Sequence, residues 1–283
     1  MSRRLELERR VRQLGEIGEI MRAMKNLALM ETRKLARFLD AQGQVVHCIE
    51  SAAADFLSFH PYLIPAAQQE RQAVLAIGSE RGFCGDFNEE VLTELATYPS
   101  GECSVIAVGS KLCARLEKFP GTIVPFAGPT IAEDVAATLY RLVGEIGGLQ
   151  KSGENLRLTV LHHRNGESGI SRKSLLPPFV ESAPATAQFG QPPLLYLTPE
   201  RFFAELLDHY LFAALHEIFY ASLMAENQRR MQHLEGAIHR LHEKTDDFAR
   251  RCRALRQEEI TEEIEVILLS VEGAGLQPVL PKD

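Results

Sequence analysis

The apolar positions of this chain follow a helical period at both ends and a different period in the middle. From Pro199 to about Glu272 there is no proline, and Gly236 is the only glycine before Gly273. Leu234, Ile238, Leu241, Thr245, Phe248, Cys252 and Leu255 alternate steps of four and three, the spacing of a coiled-coil seam. The phase slips after Leu255, where Glu259 takes the next seam position, and the spacing predicts that the seam resumes at Ile260, Ile264, Ile267 and Val271. A continuous helix of this span would be about 110 Å long, too long for one compact core to wrap. Such a helix needs a partner.

Residues 2–59 supply one. Ser2 is a candidate N-cap, and no proline appears before Pro61. Leu7, Val11, Leu14, Met21, Met24, Ala28, Leu35 and Phe38 keep the three-four spacing, with Gly18 and Glu31 at positions where apolar residues are expected. Glycine on a seam weakens packing but lets two helices approach closely. A helix of this length would run about 87 Å. His60-Pro61 and Pro65 end it, because the residue before a proline is pushed out of the helical region.

The middle changes to short runs rich in β-branched residues: Ala73–Ile77, Ser104–Val108, Thr122–Phe126 and Leu156–Leu161. Helix-like segments lie among them at Glu89–Tyr98, Lys111–Phe119 and Ile131–Gln150. Near-continuous apolar strands alternating with helices predict a Rossmann-like α/β domain with a largely parallel sheet. Leu175–Pro178, Pro184 and Gln191–Pro193 form a proline-rich connector to a last short strand, Leu194–Leu197. Thr198 then caps a helix opening at Pro199, with Glu200 in its first turn. The expected architecture is an antiparallel coiled coil of residues 2–59 and 199–272, an inserted α/β domain over 70–198, and a tail over 273–283.

Composition narrows the function classes. The net charge of −7 argues against a general nucleic-acid binder. Its distribution is uneven: Arg3, Arg4, Arg9, Arg10 and Arg12 open a basic N-terminus, and Glu258, Glu259, Glu262, Glu263 and Glu265 cluster near the other end. The five cysteines form no CxxC pair and suit reduced thiols. No apolar h-region follows the start, and no run approaches a membrane span, so any membrane link is expected to run through another protein.

The stretch most suggestive of an enzyme is Gly78–Asn88, directly after the first strand. A glycine-containing strand-to-helix loop can cradle phosphate, but this one matches neither GxxxxGK[ST] nor GxGxxG and holds no lysine. A structural turn or a protein contact fits it better. Cys84 lies near Arg81, which could lower a thiol pKa, yet nothing in the sequence places His162 or His163 beside it. His162 and His163 make a poor metal pair, since adjacent strand residues point to opposite faces. His239 and His242 share a helix face without a further ligand nearby. Arg250, Arg251, Arg253 and Arg256 fit surface ion pairs such as Arg256 with Glu259, or a charged shaft turning in a charged sleeve.

Three blocks then carry a resemblance. Ile20–Lys34 resembles the ITKAMxMVAxxKxRK block of the gamma subunit of the rotary F-type ATP synthase, the central stalk. Ser79–Asn88 resembles that family's S-D-R-G-L-C-G-x-x-N loop, and Ser222–Met231 with Arg256–Ile264 resembles its S-x-x-A-S-E-x-x-A-R-M and R-Q-x-x-I-T-x-E-[LI] blocks. Met21 stands for the family's usual threonine, Glu31 for a common lysine and Val266 for a usual glutamate, departures that suggest a divergent branch, such as a sodium-translocating one. The resemblance implies a non-catalytic rotor subunit without a cofactor. Its implied partners are a hexamer of alpha and beta subunits, the epsilon subunit and the membrane c ring, and its place is peripheral, at the cytoplasmic face of the cell membrane. It implies hexamer contacts by Met24, Lys25, Arg230, Arg256, Gln257, Thr261 and Glu263. The residues alone also admit a nucleotide-using α/β enzyme or an unrelated coiled-coil scaffold.

Overall fold

The computed structural model describes residues 3–64, 70–99, 103–117, 121–150, 155–164, 169–179 and 191–273. Ser2, Pro184 and all but the first residue of the expected tail lie outside them. Two long helices, α1 (Arg3–Phe59) and α5 (Pro199–Gly273), flank five strands and three shorter helices. The strands are β1 (Glu70–Ile77), β2 (Cys103–Val108), β3 (Thr122–Phe126), β4 (Asn155–His163) and β5 (Ile170–Leu176). The shorter helices are α2 (Phe87–Leu95), α3 (Ser110–Leu116) and α4 (Asp134–Gln150).

The strands form one sheet in the order β3-β2-β1-β4-β5. β1 is parallel to both β2 and β4, and β2 is parallel to β3. Only β5 runs antiparallel, against β4. Both faces are covered, which explains the near-continuous apolar strands. Val74, Ala76, Val105, Ala107 and Leu161 pack with Val91 and Leu112 on the α2–α3 side. Ala73, Leu75, Ile106, Val108, Leu158 and Val160 share the larger core with Leu139 of α4, Phe56 of α1 and Phe219 of α5.

Two expectations fail here. Leu194–Leu197 is not a strand; Leu194 and Tyr196 are 86% and 97% exposed, behind two prolines that offer no ladder N–H. The fifth strand is instead Ile170–Leu176, and it takes in Leu175 and Leu176 of the expected connector. Its Arg172 and Lys173 are of the kind that keep a sheet edge from pairing with other chains.

By packing, the chain divides into two units, Met1–Lys25 with Leu234–Asp283, and Asn26–His233. In the larger unit the two long helices are antiparallel: Phe56 packs on Phe202 and Phe203, Gln42 donates to the Ala213 carbonyl at 3.0 Å, and Phe38 meets Tyr220. Leu39, not Phe38, turns toward the core, and Phe38 is 41% exposed. In an unsupercoiled helix a seven-residue stripe drifts by about 20° per repeat, enough to bring the neighbouring position inward.

The smaller unit is purely helical where it is described, and again antiparallel: Arg4 donates to Glu259 at 2.7 Å and Lys25 to Glu235 at 2.7 Å. Gly18 lies against Leu241, where an added Cβ would come within 3.0 Å of Leu241 Cδ2; this is the close approach that glycine permits. Leu241, Thr245, Phe248, Cys252 and Leu255 are half-buried, as the seam requires. Glu259 pairs with Arg4 at 2.7 Å, across the two helices. Beyond Glu259 the expected resumption of the seam does not occur among the described residues. Ile260, Ile264 and Ile267 are 47%, 52% and 60% exposed, past the pairing of Glu259 with Arg4.

Candidate functional site

The Gly78–Asn88 loop leaves β1 at the carboxyl edge of the sheet, where nucleotide-binding α/β folds hold phosphate. Here the site is filled from within. The Glu80 carboxylate accepts from the Ser110 backbone N–H at 2.8 Å, the Ser110 hydroxyl at 2.6 Å and the Gly128 N–H at 2.7 Å. It thereby joins the segments after β1, β2 and β3 and opposes any phosphate by like charge. The crossing is tight: a Cβ on Gly78 would come within 2.4 Å of Leu112, and Gly109, at φ +110°, would carry one within 2.8 Å of two backbone oxygens. Ser79 and Asn88 close the loop, the Ser79 N–H donating to Asn88 Oδ1 and Asn88 Nδ2 to Ser79 Oγ, both at 2.9 Å.

From the other side, α5 presents Glu226 and Arg230, one turn apart, 4% and 5% exposed. Glu226 accepts from the Glu80 and Arg81 N–H groups at 3.4 and 3.3 Å and is ion-paired to Arg230. Arg230 also donates to the Gly82 carbonyl at 3.2 Å, to Asn227 Oδ1 at 2.7 Å and to Cys84 Sγ at 3.4 Å. Burial pushes the Glu226 carboxyl above its ordinary value, against the pull of Arg230 and the two amides. Arg230 was expected on a partner-facing surface. Its guanidinium is instead enclosed, latching the loop to the helix.

Cys84 is not an activated nucleophile. Burial pushes its thiol up to about 11, outweighing Arg230, and its Sγ donates to the Arg81 carbonyl at 3.4 Å. The two strand histidines face opposite ways, as alternation requires. His163 stacks on Phe87 at 3.8 Å between ring centres and donates from Nε2 to the Phe87 carbonyl at 2.8 Å. Its Nδ1 lies 3.6 Å from Glu90, whose other oxygen accepts from Arg229. Burial holds the pKa of His163 below the usual range. His162 lies on the α1–α5 side of the sheet. His239 and His242 are paired along their helix with Glu243 and Asp246. Among the described residues no group of three or more His, Cys, Asp or Glu side chains is placed to hold a metal ion, and no helix is long and apolar enough to cross a membrane.

The other expected contact residues lie in the smaller unit. Met24 and Lys25 are half-buried, with Lys25 held by Glu235, whose carboxyl it lowers. Arg256, Gln257, Thr261 and Glu263 are all exposed. Thr261 donates to the Gln257 carbonyl at 2.9 Å, one turn back, and both line a shallow acidic groove with Glu258, Glu262 and Glu265. Val266, Leu268 and Leu269, 59–67% exposed, continue the apolar surface of Ile260, Ile264 and Ile267. Glu31, in the larger unit, takes a different part from the lysine it replaces: it accepts from Lys34 at 3.2 Å and from the Ala132 N–H at 3.4 Å, tying α1 to the turn before α4.

Long antiparallel helices, a parallel sheet and an internally latched loop occur along one chain, and a family model described as ATP synthase matches that chain over residues 4–273. The chain belongs to the ATP synthase family. Among its relatives in that family, the ATP synthase gamma chain of Bifidobacterium longum (strain NCC 2705) is 23% identical over 306 residues, covering 96% of this chain and 98% of the relative. The gamma chain of Saccharopolyspora erythraea is 25% identical over 304 residues, with the same coverage. In fold, the chain is similar to one in the Euglena gracilis mitochondrial ATP synthase OSCP/F1/c-ring structure, with a TM-score of 0.60 at 15% identity over 99% of this chain and 98% of that one. A chain in the rotor structure of the same enzyme gives 0.58 at 15% identity, over 91% and 98%. The three blocks that resemble the ATP synthase family fall on α1, on the loop latched by Arg230, and on α5.

Proposed function

We propose that this chain is the gamma subunit of an F-type ATP synthase, a non-catalytic central stalk. It couples ion-driven rotation of a c ring to conformational change at catalytic beta subunits. The family match from residue 4 to residue 273 carries this reading, since it takes in both long helices and the whole sheet. The helices act as the shaft, over residues 2–59 and 199–272, and residues 70–198 form the inserted domain that meets the epsilon subunit and the c ring. The chain sits peripherally at the cytoplasmic face of the cell membrane, held through that ring.

The contacts with alpha and beta subunits fall to the outer part of α5. Arg256, Gln257, Thr261 and Glu263 offer polar groups beside an apolar surface that no described part of this chain covers. Met24 and Lys25 contribute from α1. A shaft of this kind can drive a site only through different contact energies in different orientations, and charge and apolar surface distributed unevenly around a helix provide that difference. Arg230 acts from inside, holding the Gly78–Asn88 loop in register with α5.

Tagged chain expressed in its own cells is expected to co-purify with alpha and beta subunits; their absence would overturn the proposal. In the assembled enzyme, truncation after Leu255 is expected to weaken coupling between ATP hydrolysis and ion transport more than it weakens subunit assembly. Equal loss of both would show that the end of α5 serves only to hold the complex together.

A further inference from the structure

Among the described residues one buried side-chain oxygen has no hydrogen bond, Glu90 Oε2. Buried acceptors are nearly always satisfied, so an orphan of this kind calls for a cause. It lies where three elements of the larger unit meet. Glu90 is on α2, and its Oε1 accepts from Arg229 of α5 at 2.8 Å. Oε2 faces Nδ1 of His163, on β4, at 3.6 Å.

The tautomer of His163 follows from its other nitrogen. The ring is 3% exposed, and Nε2 lies 2.8 Å from the Phe87 carbonyl. A carbonyl only accepts, so Nε2 carries the proton of the neutral ring and Nδ1 presents a lone pair. Two buried acceptors therefore face each other with no proton between them, an arrangement that costs free energy. One proton at Nδ1 reverses this: the ring then donates from both nitrogens, and its charge lies against the Glu90 carboxylate. An ordinary N–H···O bond is about 2.9 Å long, so making it from 3.6 Å draws Glu90, and α2 with it, toward β4. Burial is the strongest influence on the ring and holds the proton off; the Phe87 carbonyl and Glu90 favour the proton, and Arg229 opposes it. β5 sets uncharged Ile170 opposite His163, and one turn further along α2 Glu94 is taken up by Arg172 of β5.

We propose that Glu90 and His163 form a proton-operated clamp, in which one proton taken up at Nδ1 closes α2 onto β4. α2 follows the Gly78–Asn88 loop, whose near end Glu226 and Arg230 latch to α5; the clamp fastens its far end to the sheet. The titration belongs to the pair and not to either residue alone. Its sign is set by burial. The folded pKa of His163 lies below its unfolded value, so the stability linked to the proton is complete above the unfolded pKa and lost as pH falls through the folded one. Acid therefore tightens α2 locally while the whole fold becomes less stable. The clamp lies wholly within the larger unit and does not depend on the stalk reading.

Nitrogen NMR of His163 in the purified full chain, with the pH lowered from neutral until the fold is lost, tests the clamp. Nδ1 should gain a proton while Nε2 keeps its own. Glu90→Gln removes the attracting charge and should weaken proton binding at His163 by about tenfold or more; Arg229→Gln removes the opposing charge and should strengthen it. Hydrogen exchange reports the closing. Protection of the α2 amides relative to those of β1, which track the whole fold, should rise about fivefold as His163 takes up its proton, the effect of one net hydrogen bond. In Glu90→Gln, whose amide can donate to the unprotonated Nδ1, that ratio should no longer follow pH. An Nδ1 that stays unprotonated for as long as the chain is folded would overturn the proposal. So would an unchanged proton affinity in either variant, or an α2-to-β1 ratio that ignores pH in the native chain or still follows it in Glu90→Gln.

Discussion

Replacing Arg230 by methionine isolates the latch between α5 and the Gly78–Asn88 loop. In the native chain the Glu226 carboxylate, 4% exposed, is compensated by Arg230 and by two long amide contacts at 3.3 and 3.4 Å. Methionine keeps much of the side-chain volume and removes the charge, leaving a buried carboxylate with two weak donors. Breaking a buried ion pair from one side costs about 3–5 kcal/mol. Glu226→Gln should cost less, about 1–3 kcal/mol, because Arg230 retains Asn227 and the Gly82 carbonyl. A Glu226→Leu, Arg230→Met double variant removes both charges and should be more stable than Arg230→Met alone. The pH dependence has a definite sign. With Arg230 gone, nothing opposes burial, so the folded pKa of Glu226 rises further above its unfolded value. The stability linked to that proton is then fully present below the unfolded pKa and lost as pH rises through the folded one. Arg230→Met should therefore be closer to wild type near pH 4 than at pH 8. Urea unfolding followed by circular dichroism gives the cost, and hydrogen exchange at the Glu80 and Arg81 amides gives its location. A cost below about 1 kcal/mol, or a double variant as unstable as the two single variants added together, would refute the latch.

Three further outcomes follow from the same packing. His162, held at about 4 from an ordinary 6.5, contributes stability that is complete above the unfolded pKa and lost as pH falls toward 4, in all roughly 3 kcal/mol; His162→Gln should flatten the pH-stability profile in that window, and an unchanged slope would count against burial as the cause. Iodoacetamide at pH 8 should modify exposed Cys48 well before Cys84, whose thiol is buried and pushed up to about 11; mass spectrometry showing Cys84 labelled first would contradict its packing. Gly109→Ala combines a positive φ with a Cβ 2.8 Å from two backbone oxygens, and thermal unfolding should show a loss of about 2 kcal/mol or more.

Much of the fold was legible because each period had one physical cause. The three-four stripes meet a facing helix, and the unbroken apolar runs of β1 and β2 lie in a sheet covered on both faces. β5 escaped notice because Arg172, Lys173 and Ser174 interrupt its apolar residues and a proline pair follows it, so an edge strand looked like a connector. Leu194–Leu197 deceived in the opposite direction, as an apolar run with no neighbouring strand to pair with. The site was harder to see. Glu226 and Arg230 look like any i,i+4 surface pair; the clue was their setting among Ala221, Leu223, Met224 and Ala225, which belongs to a buried helix face. Glu80 gave no local sign at all, because its partners Ser110 and Gly128 are far from it in sequence.

That last arrangement shows how the strand ends of a Rossmann-like sheet can be closed by a side chain of the same chain. Such a sheet gathers backbone N–H groups at its carboxyl edge whatever the sequence, and buried donors must be satisfied. A phosphate would satisfy them in an enzyme; here a carboxylate from the first loop does so permanently. The loop is thereby held on both sides, by Ser110 and Gly128 through Glu80 and by α5 through Glu226 and Arg230. The consequence is mechanical. A domain whose strand ends close on a covalently attached anion gains no ligand-dependent opening, and a side chain cannot dissociate as a nucleotide does. For a subunit that must pass torque through α5, a loop clamped to that helix by buried charge is better suited than a site that empties and refills.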